Sequence, residues 1–164
     1  MEKKDFSVTA HFSESPAQVY ESINQVNKWW SESIDGITDR AGEEFLYHYK
    51  DVHTCQMKIL EMQPNKKVVW LVLNNHFKFT SNHSEWKGDR IVFEIEEEDN
   101  GTKLTFTQQG LNADCECYNV CHDAWTGYIK GSLSELIRTG KGRPNPLDGG
   151  LNEELIRKWN LPNN

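Results

Sequence analysis

The chain has 164 residues, with 18 Lys plus Arg against 25 Asp plus Glu and a net charge of −7. That acidity, without any basic run, lacks the electrostatic footprint of a nucleic-acid binder and gives anionic membranes little to attract. The longest purely apolar run, VVWLVL at 68–73, falls far short of the ~20 residues that span a bilayer, so no stable membrane insertion is expected. A chain of this length buries roughly 70% of its unfolded surface and can stand as one domain without disulfides or metal. The start, MEKKDFSV, has basic residues but no apolar stretch behind them, which predicts no secretory signal. Three of the four cysteines bunch at 115, 117 and 121 rather than forming a spaced framework. The expected compartment is therefore the cytoplasm.

In chain order, DFSVTAHF (5–12) alternates Phe6, Val8, Ala10 and Phe12 and reads as a half-buried strand. SESPAQVYESI follows with a helix start: Ser15 as N-cap and Pro16 in the first turn. A second short helix carries VNKWWSES (26–33), where Trp29 and Trp30 are adjacent. Neighbouring helical residues point about 100° apart, so one is expected to pack inward and the other to lie near a rim. From Ile34 to Gly110 the pattern is strand. Phe45, Tyr47 and Tyr49 share one face, as do Cys55, Met57 and Ile59, and PNKK (64–67) turns the chain into VVWLVL. Outward Val69, Leu71 and Leu73 hint at a covered sheet face, which leaves monomer and homodimer both open. NHFKFTSNHSEWKG (75–88) reads ambiguously, as a short strand and a loop. The clearest hairpin is DRIVFEIEEEDNGTKLTFTQQG, with Phe93 and Phe106 inward and DNG at its turn.

Between Cys115 and Thr139 the period turns helical, with Tyr118, Cys121, Trp125, Ile129, Leu133, Leu136 and Ile137 in one stripe ended by Gly140 and Gly142. These elements predict an α+β domain over 1–142, followed by a tail over 143–164 in which NEELIRKW adds a short turn of helix, with packing of the tail on the domain left open. A curved antiparallel β-sheet wrapped around the long C-terminal α-helix, with two short helices after the first strand, buries every apolar face. Such wrapping leaves room at one end.

SPAQVYESINQVNKWW, SEWKGDRIVFEI, GTKLTFTQQGL and CYNVCHDAWTGYIKGSLSELIRTGKGRP together resemble the START-like (SRPBCC) superfamily and its helix-grip fold, over about residues 5–145. Within it they are most similar to the branch named after the activator of heat-shock protein 90 ATPase. Where relatives often read Gly-Trp at the long helix, this chain has Ala124-Trp125, and the added methyl is expected to shrink any cavity. The superfamily includes lipid carriers, hormone receptors and polyketide cyclases, so the resemblance implies a fold more firmly than a function. It also implies that full activators carry an additional N-terminal domain.

The ligand-binding set expected on the concave face is Trp29, Trp30, Tyr47, Tyr49, His53, Met57, Trp70, Phe93, Phe106, Trp125 and Ile129. Apolar walls with a few polar tips are the usual make-up of a small-molecule site. Cys117, Cys121 and His122 do not make a metal site, because structural zinc calls for a second, distant ligand pair. A Cys117–Cys121 bridge is expected to strain the helix. No paired carboxylates, nucleophile elbow or His with an orienting acid stand at a recognisable spacing, so no catalytic residue and no cofactor are assigned. The favoured reading is a non-enzymatic module for a small apolar or amphipathic, lipid- or polyketide-like ligand. Two others stay open: a co-chaperone that activates a heat-shock chaperone ATPase, and a cyclase- or hydrolase-like enzyme with His53 as base.

Overall fold

The computed structural model describes residues 4–162. Seven strands, β1 (Phe6–Phe12), β2 (Ile34–Gly36), β3 (Glu44–Tyr49), β4 (His53–Gln63), β5 (Lys67–Phe77), β6 (Arg90–Glu98) and β7 (Gly101–Gln109), form one sheet in the order β1-β7-β6-β5-β4-β3-β2. Every pairing is antiparallel. Register shifts in β4, between Gln56 and Met57 and between Ile59 and Glu61, mark bulges that increase local twist and curl the sheet. The β6–β7 turn falls on Asp99 and Asn100, and Gly101 takes φ 152° there. A Cβ on Gly101 would sit 1.9 Å from the Phe12 carbonyl oxygen, so only glycine lets the last residue of β1 pair beside the turn.

Helix α1 (Pro16–Asn24) starts where the sequence places it, with the Ser15 hydroxyl accepting from the Gln18 N–H at 3.2 Å. Helix α2 (Val26–Trp29) is one turn long. The long helix is three consecutive pieces: α3 (Tyr118–Thr126), a π-helical stretch (Gly127–Leu133) and α4 (Ser134–Thr139). The π stretch departs from the regular helix expected. It widens the turn, and the Ser134 hydroxyl bonds back five residues, to the Ile129 carbonyl at 2.7 Å. Tyr128, Ile129, Ser132 and Leu133 are all buried along it. The chain closes with α5 (Gly150–Trp159), ten residues rather than a short turn.

The structure corrects the expectation for the tryptophan pair. Trp29 and Trp30 are both buried, at 0% and 1% exposure. The reason is that α2 has covered surfaces on more than one side. The Ser132 hydroxyl of the π stretch donates to the Trp29 carbonyl at 2.7 Å, and Asn145 Nδ2 donates to the Trp30 carbonyl at 3.0 Å. The two indoles lie nearly parallel, 6.3 Å apart, and both stack on Trp70, at 6.4 and 6.1 Å. Trp30 stands between Trp70 and Trp125, 5.2 Å from the latter.

Trp70 is thus packed on every side by Trp29, Trp30, Phe45 and Phe93. Trp70→Ala should cost about 3–5 kcal/mol, as expected for truncating a large aromatic in a filled core. Urea melts of wild type and mutant should show the midpoint falling with the slope unchanged.

Candidate functional site

Beyond the tryptophan stack the sheet and long helix diverge and leave a cavity of about 50 Å³. The sheet supplies Tyr47 and Tyr49 from β3 and His53 and Phe77 from the facing ends of β4 and β5, with Val52 from the turn. Helix α3 supplies Val120, Cys121, Ala124 and Trp125, and the π stretch supplies Tyr128. Trp30 closes the inner end. The outer wall is the C-terminal segment: Asn152, Leu155 and Ile156 of α5, and Leu161. Among the residues expected to bind ligand, Trp30, Tyr47, Tyr49, His53 and Trp125 border this space. Trp29, Met57, Trp70, Phe93, Phe106 and Ile129 lie in the packed core and do not.

Of the lining residues that sequence reasoning missed, two contributions come from outside the expected sheet and long helix. The first is Trp86, in the loop after β5, which is only 4% exposed and stacks on Trp125 at 5.7 Å. The loop is latched from afar: the Glu85 carboxylate accepts from the backbone N–H groups of Glu116 and Cys117, at 2.6 and 2.9 Å, at the start of α3. An acidic residue at a helix N-terminus is a readable pairing, but nothing in the local pattern says which helix it meets. The second is α5. Its amphipathic spacing of Leu151, Leu155 and Ile156 was legible, but its docking place was not.

That docking rests on a polar clasp. Asn145 is 1% exposed; its Nδ2 donates to the Tyr128 hydroxyl at 2.6 Å and its Oδ1 accepts from the Asn152 N–H at 3.0 Å. The Asn152 side chain then bridges two phenols, donating to Tyr47 at 2.8 Å and accepting from Tyr128 at 3.0 Å. The Tyr49 hydroxyl accepts from the Gly149 N–H at 3.1 Å and donates to the Glu153 carboxylate. Lys50 pairs with Asp148 at 2.9 Å and Glu153 at 3.3 Å. Gly127 permits the close approach of α5, since a Cβ there would meet Leu151 Cδ2 at 2.9 Å.

Among the described residues, no charged one borders the cavity. Burial also pushes the Tyr47 and Tyr128 hydroxyls well above the ordinary phenol range. His53 is held at about 3, chiefly by desolvation, although its hydrogen bond to Asn75 (2.7 Å) favours the cation. Its ring is enclosed by Phe77, Trp86 and Tyr47, with centroids at 4.2, 4.9 and 5.2 Å. An imidazole so depressed is a weak base at neutral pH, and its partner is an amide rather than the carboxylate that orients a catalytic His. Behind the far wall, Trp125 Nε1 donates to Gln108 Oε1 at 2.7 Å, and Gln108 Nε2 donates to Asp89 at 2.8 Å. Burial first, and then Asp5 and Glu85, lift Asp89 to about 6.

A family model for activator of Hsp90 ATPase homolog 1-like proteins matches residues 14–138. The chain belongs to this family. Three solved structures show the same fold. The Aha1 dimer from Colwellia psychrerythraea superposes with a TM-score of 0.68 at 22% identity, covering 85% of this chain and 99% of that one. A Mesorhizobium loti protein gives 0.63 at 16% identity, covering 82% and 96%. DynU16, a protein of the dynemicin biosynthetic locus, gives 0.61 at 12% identity, covering 83% of this chain and 48% of that one. A comparison with curated proteins found no match. The match to the activator-like family ends at residue 138, before α5, so the outer wall of the cavity lies outside it. Among the described residues, no helix is long and apolar enough to cross a membrane.

The two shifted groups act on stability in opposite directions. A folded His53 that resists protonation weakens folding wherever the unfolded imidazole takes up a proton, so stability is lost as pH falls from 6.5 towards 3. Neutral folded Asp89 contributes stability that is complete below about 3.8 and is lost as pH rises through about 6. Urea melts across pH should therefore show Asp89→Asn more stable than wild type above pH ~6 and equal to it below pH ~4. His53→Gln should lose less stability than wild type between pH ~7 and ~5.

Proposed function

We propose that the protein is a non-enzymatic binding module that takes an uncharged, largely apolar ligand between the sheet, α3 and α5. The observation that carries this reading is the cavity wall, which is mostly aromatic, carries no charge, and has a few phenol and amide tips. An ion entering it would give up its water and meet no counter-charge, so neutral ligands are favoured. The dynemicin-locus protein of the same fold lends support to a polyketide-like ligand.

Size adds a condition. About 50 Å³ holds a few waters, whereas small-molecule pockets run to roughly 300–1,000 Å³. A ligand of that size must displace Leu155, Ile156 and Leu161, which makes α5 the lid. The uncharged fluorophore N-phenyl-1-naphthylamine tests this. It should bind one to one and quench tryptophan emission. Tyr49→Phe removes the hydroxyl that holds Gly149 and Glu153 and should raise the apparent affinity about 5- to 10-fold, because loosening α5 by roughly 1 kcal/mol enriches the open form. Absence of saturable binding in both proteins would remove the reading.

Family membership favours one second reading, a co-chaperone that stimulates a heat-shock chaperone ATPase. Adding the protein to the host's own chaperone should then raise ATP turnover in a saturable way. An unchanged rate at excess protein excludes this role.

A further inference from the structure

Cys117 and Cys121 are both buried, at 0% and 2% exposure, and their sulfurs lie 2.6 Å apart, with Cys121 donating to Cys117. That is within about half an ångström of a bonded pair, where the distance is roughly 2.05 Å. Cys117 is the N-cap of α3, with φ −77° and ψ −3°, and its carbonyl accepts from the Cys121 N–H at 2.8 Å, so the first helical turn sets the two side chains on one face. The second member, Cys121, borders the cavity. A free volume of about 50 Å³ admits a molecule of the size of water or peroxide, while a low-molecular-weight disulfide is too large.

We propose that Cys117 and Cys121 form an oxidation site, which hydrogen peroxide entering the cavity converts to an intrahelical disulfide. Cys121 Sγ attacks one peroxide oxygen, the O–O bond breaks, and the departing oxygen leaves as water with the thiol proton. The product is a sulfenic acid on Cys121. Cys117 Sγ, already in contact, then attacks the Cys121 sulfur. The S–O bond breaks, and the hydroxyl leaves as a second water with the Cys117 proton. The dithiol gives up two electrons in all and the peroxide receives them. The hydrogen bond with Cys121, and then burial, hold the Cys117 thiol far above its ordinary range, so the second step, in which Cys117 is the nucleophile, is favoured by alkali. Cys115 is the competing target: it is more exposed, and its thiol donates to the Gly110 carbonyl at 3.3 Å.

The test is to treat the reduced full-length chain with hydrogen peroxide, alkylate free thiols, and map the products by mass spectrometry. Cleavage after Glu116 separates Cys115 from the other two cysteines. The expected result is a fragment holding Cys117 and Cys121 that is lighter by two hydrogens, with Cys115 recovered alkylated, and the same loss in Cys115→Ser. Cys117→Ser should instead give a dimedone adduct on Cys121 with no hydrogen loss. Oxidation confined to Cys115, or a bridge joining Cys115 to either partner, overturns the proposal. Because the wild-type map decides the question, it does not depend on how well the Cys117 variant folds.

Discussion

Trp30 is the contact on which the sheet and the long helix both depend. Its ring lies 4.3 Å from Tyr47 on one side, 6.1 Å from Trp70 and 5.2 Å from Trp125, while its carbonyl accepts from Asn145. A curled antiparallel sheet cannot reach a helix across its concave side with aliphatic residues alone. Two adjacent indoles, delivered by a single-turn helix with covered surfaces on several sides, fill that gap. Aromatic pairs add about 0.5–1.5 kcal/mol each beyond the area they bury, so the cluster is a rigid centre rather than an adaptable one.

The cavity is what remains where that filling stops. It begins at Trp30 and runs outward past Tyr47, Trp125 and Tyr128 to α5. Its inner end is set by stacked rings that have nowhere to move. Its outer end is set by a segment held through hydrogen bonds of Asn145, Gly149, Asn152 and Glu153 to Tyr47, Tyr49, Tyr128 or one another, and through ion pairs of Lys50, several of them on the surface. Buried polar bonds of that kind fix position sharply, but the exposed ion pairs add little energy, so the outer wall is the less stable one. Cys121 sits on the intermediate wall, with the Cys117 sulfur in contact behind it.

Much of the fold was legible because its signals are local. Alternation along Phe45-Tyr47-Tyr49 and along Ile91-Phe93-Ile95 has a period of two wherever the strand sits, and Asp99-Asn100-Gly101 turns the chain by its own backbone preferences. Of the cavity, five lining residues were readable from strand parity and helix phase: Trp30, Tyr47, Tyr49, His53 and Trp125. The same parity also gave Met57, Trp70, Phe93 and Phe106, which face the same way but lie in the packed core. Facing inward is a property of one strand. Bordering a void depends on what stands opposite.

The amino-acid sequence by itself determined the antiparallel strands, the hairpin turns, the Ser15-capped helix and the inward face of the sheet, since each follows from side chains within a few residues of one another. Only the tertiary structure decided that both tryptophans are buried, that the long helix widens at Gly127–Leu133, and that Trp86 and α5 complete the cavity. Each of these depends on contacts between residues far apart in the chain, such as Glu85 with Cys117, Ser132 with Trp29 and Asn152 with Tyr47. Hydrophobic periodicity records which side of an element is buried. It carries no information about which distant group will cover that side, or how closely.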